Sequence, residues 1–160
     1  MLLPISLNAW SKLDLATNSF GQGIGVTPVQ LAQAFHILAN GGVKKPLRLV
    51  LEPAQDSAFW PETRVIDSKV THTVQLMMRE VVEEEKGTGV KARIEGLELG
   101  GKTGTAQKAK ATGGYGDKYL ADFVGFIPAV DPEYMVLVMV DEPEPNHYGG
   151  EGLEIGSAHV

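Results

Sequence analysis

The 160-residue chain contains no cysteine, which excludes disulfide staples and thiolate chemistry alike. That absence fits any compartment, including an oxidising one where a stray thiol is a liability. It also lacks a basic run long enough to neutralise a phosphate backbone, and its formal net charge is -6, which argues against nucleic acid as a partner. No apolar run approaches membrane-spanning length. The opening MLLPISL is apolar but has no basic segment and carries Pro4, so it does not read as a signal peptide. Internal repeats, low-complexity tracts and linker-like stretches are missing too. What is present is ordinary for a folded chain: 43% hydrophobic and 21% charged residues. The length suits one domain with a sizeable core or a part of a larger one.

Residues 1–26 read as irregular and rich in Gly and Asn. TPVQLAQAFHILANGG then carries full helix punctuation: Thr27 as N-cap, Pro28 at the first helical position, Gln30 completing a capping box, and Gly41 and Gly42 as the stop. Leu31, Ala34, Phe35 and Leu38 form an i, i+3, i+4, i+7 face that should pack on a core. A second helix should begin near Asp67 or Ser68, with Val70, Val74, Met77, Met78 and Val81 along one side and Lys86 and Gly87 ending it. Glu83, Glu84 and Glu85 crowd its C-terminal end, where the macrodipole disfavours anions, and read as a solvated face.

From Leu97 the period changes to that of a strand. LELGGKTGTA, YLADFVGFIPA and YMVLVMV are three candidates, and the short Asp131-Pro132 connection predicts that the last two pair as an antiparallel hairpin. YMVLVMV is apolar on both faces and is expected to be a central strand covered by helices. Two helices followed by adjacent strands, without βαβ alternation, indicate an α+β fold.

The stretch GLELGGKTGTAQ, residues 96–107, admits two chemical readings. It fits the phosphate-loop pattern through Gly96, Gly101, Lys102 and Thr103, and VLVMVDE, ending at Asp141 and Glu142, resembles a Walker B segment. A phosphate loop, however, must open a helix at Gly-Lys-Thr so that its first N–H groups face the phosphates. The following TGTAQKAKATGGYG has Gly104 in the would-be first turn and no apolar face to bury. Read instead as a strand, period two places the hydroxyls of Thr103 and Thr105 on one side, suited to gripping one carboxylate. Lys102 then points the other way as a cation. Gly104 leaves room for a second backbone to approach, and the Thr105 N–H could serve as an oxyanion donor. On the residues alone, an ordinary edge strand containing Gly and Thr stays open beside this reading.

GGKTGTAQK resembles the third active-site motif of the penicillin-binding transpeptidases. ATNSFGQGIGVTPVQLAQAFHILANGG, VVEEEKGTGVKARIEGLELGGKTGTAQ, FVGFIPAVDPEYMVLVMVDEP and YGG at 148–150 follow the order of the class B members of that family. The resemblance spans residues 4–150. It implies the C-terminal half of a penicillin-binding/β-lactamase-like transpeptidase domain, an antiparallel sheet flanked by helices, with residues 1–160 as one partial domain. It implies serine acyl transfer on D-alanyl-D-alanine stem peptides, β-lactam binding, and no cofactor. By the same resemblance Lys102 supplies positive potential and aids proton transfer. Thr103, Gly104 and Thr105 form the carboxylate-binding strand, and the Thr105 N–H makes half of the oxyanion hole. Further implied are a polytopic glycan polymerase and other wall-synthesis proteins as partners, and attachment to the cytoplasmic membrane with the domain outside it.

Two of the family's three motifs have no counterpart. None of the six serines, Ser6, Ser11, Ser19, Ser57, Ser68 and Ser157, has lysine three residues on, so the Ser-x-x-Lys nucleophile is absent. Ser6-Leu7-Asn8 matches Ser-x-Asn as a string but stands too close to ATNSFGQG, and reads as chance. EGLEIGSAHV replaces the family's final helix. The chain alone should therefore be catalytically inert and should expose apolar sheet surface. A non-catalytic remnant that binds stem peptide is the alternative; a nucleotide binder ranks below it. His36, His72, His147 and His159 show no ligand spacing, so no metal is expected. Gly21, Gly23 and Gly25 read as a tight turn rather than a dinucleotide fingerprint. Tyr115 and Tyr119, read in the loop after the Lys-Thr-Gly strand, border the cleft or are ordinary loop tyrosines.

Overall fold

A computed structural model describes residues 11–48, 61–110 and 113–144. Ser6-Leu7-Asn8, Ser57, His147, YGG at 148–150, Ser157 and His159 lie outside the described residues, as does the tail expected to depart from the family. In chain order the elements are α1 (Lys12–Asn18), α2 (Pro28–Ala39), β1 (Val43–Lys44), β2 (Thr63–Arg64), α3 (Ser68–Glu83), a 3-10 turn (Val90–Ala92), β3 (Gly100–Ala109), β4 (Tyr115–Ile127) and β5 (Tyr134–Asp141). β1 and β2 form a short antiparallel ribbon. β3, β4 and β5 form an antiparallel sheet in that order. The α+β expectation is met.

The first correction concerns residues 1–26. Part of this stretch is helical, because Ser11 and Asp14 make a reciprocal capping box that starts α1. α2 starts as its punctuation requires: the Thr27 N–H donates to Gln30 Oε1 at 2.9 Å, and the Gln30 N–H donates to Thr27 Oγ1 at 3.2 Å. Gly41 and Gly42 follow with φ of 61° and 88°. A Cβ on Gly42 would meet the Ile66 carbonyl oxygen at 2.1 Å, so this turn needs glycine twice over.

α3 begins at the Asp67 cap, as expected, and buries part of the expected side, with Met78 in the core and Val74 packed beside it. Its buried stripe is Thr71, Gln75, Met78 and Val82, whereas Val70 and Met77 are 53% and 62% exposed. The reason is polar. Gln75 Nε2 donates to the carbonyl oxygen of Leu38 at 2.8 Å, capping the C-terminal turn of α2, whose last carbonyls have no partner within the helix. Burial of this amide is compensated by that bond.

Two apolar clusters hold the helices to the sheet. Met78, Val124 and Phe126 are buried together, with Phe35, Leu38, Ala39, Val74, Met135 and Leu137 packed against them. The Phe35 and Phe126 rings meet edge to face, with centroids 6.4 Å apart. Val82, Leu99 and Phe123 form the second cluster, joined by Ala92 and Ile127.

β5 corrects the expectation for YMVLVMV. Among the described residues β4 is the central strand, and β5, like β3, is an outer one. Met135 and Leu137 face the helices, but Tyr134, Val136 and Val138 on the other face are 68%, 53% and 43% exposed. Apolar character on both faces therefore marks a strand with one face uncovered here, and the anticipated apolar sheet surface lies on β5.

Candidate active site

The Lys-Thr-Gly stretch lies within β3, extended and paired with β4 from Gly100↔Phe126 to Gln107↔Tyr119. No helix opens at Lys102, so the phosphate-loop reading is overturned. Its supposed acidic partners are also elsewhere: Asp141 and Glu142 bind Lys108, at 2.9 Å and 2.8 Å, and Glu142 also binds Lys118. The two acids thus belong to a cross-strand ion-pair cluster at the sheet end.

β3 is an edge strand among the described residues, with β4 on one side only. Register and pleat put Thr103 opposite Phe123 and Thr105 opposite Ala121 on one face. Lys102 lies opposite Val124 and Gly104 opposite Asp122 on the other. Lys102 is exposed, and its Nζ donates to the carbonyl oxygen of Thr103 at 2.7 Å. The four expected site residues are thus brought into the alternation that the strand reading requires. Tyr115 and Tyr119 belong to β4 rather than to a loop, and the Tyr119 hydroxyl accepts from Gln107 Nε2 at 3.2 Å.

Within the chain, Gly104 has a close neighbour on β4. What approaches it is the Asp122 carboxyl: a Cβ on Gly104 would lie 2.2 Å from Asp122 Oδ1. Asp122 is partly buried, and burial pushes its carboxyl above the ordinary value while the nearby Lys102 ammonium pulls it down. The native state therefore holds the Asp122 proton to higher pH than the unfolded chain does. Its contribution to stability is most favourable when protonated and declines as pH rises from the ordinary carboxylate range through the raised value. Asp122→Asn should flatten this decline and raise the urea midpoint at neutral pH relative to the unaltered chain. A variant whose midpoint falls further behind as pH rises would refute this assignment.

Within the loop that leads from α3 to β3, Thr88 was not singled out from the sequence, yet it makes a direct site contact. Thr103 Oγ1 donates to Thr88 Oγ1 at 2.9 Å. Thr88 stands between Gly87, whose N–H donates to Glu84 O, and Gly89, whose N–H donates to Val81 O, both at 2.9 Å. The glutamates before it are not all merely solvated. Glu83 accepts from the Leu99 N–H at 3.1 Å and pairs with Arg93 at 3.4 Å. Arg93 also donates to the Glu83 carbonyl oxygen, placing a cation where the helix dipole ends negative. Helix end, loop and strand start are thereby tied together. The flanking glycines of GTG were the available signal for Thr88; Asp122 had none, since only strand register places it under Gly104.

Comparison with known proteins bears on the family and the fold. The penicillin binding protein transpeptidase domain model matches residues 5–154. The chain is 38% identical over 146 residues to the peptidoglycan D,D-transpeptidase FtsI of Buchnera aphidicola, covering 89% of this chain and 25% of that protein. Against FtsI of Escherichia coli K12 it is 37% identical over 142 residues, covering 88% and 23%. Among solved structures, the transpeptidase domain of Burkholderia pseudomallei penicillin-binding protein 3 superposes with a TM-score of 0.78 at 31% identity, covering 99% of this chain and 50% of that one. Penicillin-binding protein 3 of Mycobacterium tuberculosis, complexed with ampicillin, gives 0.79 at 29%, covering 98% and 39%. The chain thus spans about a quarter of the length of these curated relatives. With the Lys-Thr-Gly strand at the sheet edge, its threonines on one face and a family match over almost all of its length, the chain belongs to the penicillin-binding protein transpeptidase family.

Proposed function

We propose that this chain is the carboxylate-gripping, C-terminal half of a serine-type peptidoglycan D,D-transpeptidase. The observation that carries the reading is the alternation on β3, with Thr103 and Thr105 on one face and Lys102 on the other. A terminal carboxylate of a D-alanyl-D-alanine stem peptide, or of a β-lactam, accepts hydrogen bonds from the two threonine hydroxyls. Lys102 contributes positive potential, which favours the deprotonated form of a nearby nucleophile and stabilises negative charge developing on the substrate. The Thr105 N–H is assigned to the oxyanion that forms when the substrate carbonyl is attacked. The attacking serine and its lysine are not among these residues, since no Ser-x-x-Lys occurs in the chain. Acyl transfer therefore belongs to a longer protein, attached to the cytoplasmic membrane, working outside it, and partnered by a polytopic glycan polymerase.

A second reading, a stem-peptide-binding module without catalysis, is favoured by that same missing motif. Intact-mass measurement after incubation with benzylpenicillin separates the two. The 160-residue chain should gain no covalent mass, while the product of the full open reading frame that contains it should gain one acyl group on a serine upstream of Met1. A full product that stays unmodified contradicts the transpeptidase reading and leaves the binding module.

A further inference from the structure

We propose that Thr88 is a positioning residue for the carboxylate grip, setting the direction of the Thr103 hydroxyl. The inference rests on the reading of Thr103 and Thr105 given above and adds a residue to it. Thr88 belongs to no strand, and fifteen positions separate it from Thr103, yet the two hydroxyl oxygens lie 2.9 Å apart. Thr103 is β-branched, so its χ1 falls in one of a few staggered wells. Turning χ1 to another well would carry the hydroxyl away from Thr88. Thr88 itself is held by a backbone with little freedom. Gly89 is bonded to the Val81 carbonyl, and any Cβ on Gly87 would sit 2.1 Å from that same oxygen. The glycines let the loop press against the end of α3, and that closeness brings Thr88 to β3.

The chemistry of the pair follows from proton counting. Each hydroxyl has one O–H and two lone pairs. Without a ligand, the Thr103 O–H rests on Thr88. When a carboxylate arrives, Thr103 must turn its proton to the ligand, and Thr88 then donates its own proton to the Thr103 oxygen. No proton leaves either residue; both O–H bonds rotate. The resulting chain, Thr88 to Thr103 to carboxylate, is aligned head to tail, and each hydrogen bond polarises the next. Thr88 thus strengthens the grip without touching the ligand. A ligand ending in a neutral amide draws less on this chain, because hydrogen bonds to charged acceptors are the stronger ones.

The test compares N-acetyl-D-alanyl-D-alanine with its C-terminal amide, titrated by NMR into the 160-residue chain, its Thr88→Val and its Thr88→Ser variants. Valine keeps the shape and removes the hydroxyl; serine keeps the hydroxyl. The expected result is that Thr88→Val lowers the acid-over-amide preference by about five- to tenfold, weakening amide binding far less than acid binding, while Thr88→Ser keeps the preference. Three-bond couplings to the Thr103 methyl should show χ1 averaging in Thr88→Val alone. Should the valine variant not fold, Thr88→Ala replaces it in the same comparison. A preference unchanged by loss of the hydroxyl, or acid and amide binding weakened equally, overturns the proposal for Thr88. An unaltered chain that shows no preference for the acid instead overturns the carboxylate grip itself, and the role of Thr88 with it.

Discussion

Truncating Phe126 to alanine should lower the unfolding free energy by about 3–5 kcal/mol, the cost typical of removing a buried aromatic ring and leaving a cavity. Phe126 is fully buried, lies on the central strand, and packs edge to face on Phe35 of α2 as well as against Met78 of α3. It therefore joins both long helices to the sheet, and neither helix can follow the lost ring without leaving the other. A domain of this kind is stable by roughly 5–15 kcal/mol, so the loss removes a large part of the total. Urea denaturation should show the midpoint falling with little change in slope. A cost below about 1 kcal/mol would mean that the core around Phe126 collapses freely, contrary to the packing described.

Gly87→Ala should be damaging too and should act on the site as well as on stability. The added methyl would lie 2.1 Å from the Val81 carbonyl oxygen, 2.7 Å from its carbon and 3.0 Å from the Glu84 carbonyl oxygen. All three are backbone atoms of the C-terminal end of α3, so no side chain can move aside. Overpacking of this kind costs about 1–3 kcal/mol, and relief requires the loop to lift away from the helix. Lifting the loop carries Thr88 from Thr103. The measurements are a urea midpoint and the amide chemical shifts of Thr88 and Thr103. Destabilisation with both shifts unmoved would show that loop and strand are not coupled through this contact.

How much of this was legible from the residues depends on how locally each feature is determined. α2 could be read from end to end, because Thr27, Pro28, Gln30, Gly41 and Gly42 act within a turn of their own positions. The face of α3 could be read only in part, through Val74 and Met78. Gln75 is buried because the carbonyls at the end of α2 need a donor, and that need exists only after the two helices meet. The β4–β5 hairpin was readable from its short connection, but the position of YMVLVMV within the sheet was not, since apolar residues on both faces do not state which face is covered. α1 was missed because its capping box, Ser11 with Asp14, precedes a helix of only seven residues.

The site divides in the same way. Lys102, Thr103, Gly104 and Thr105 are consecutive, so period two alone predicts which hydroxyls share a face, and the pairing with β4 has them so. Thr88 and Asp122 reach the site through tertiary structure, one by a loop folded onto α3, the other by strand register. Gly104 shows the difference most plainly. Its lack of a side chain was readable as a need for space, but the neighbour that fills that space, the Asp122 carboxyl, was not. The same register explains why Lys102 and Asp122 influence each other although twenty positions separate them.

The central claim is that one face of β3 grips a terminal carboxylate. It is tested most directly by adding N-acetyl-D-alanyl-D-alanine to the isotope-labelled chain and following every backbone amide. The account predicts saturable shifts centred on Thr103, Gly104 and Thr105, extending to Thr88, and lost when Thr103 and Thr105 are both replaced by valine. Saturable shifts centred away from β3, or shifts at β3 that survive loss of both hydroxyls, would contradict it.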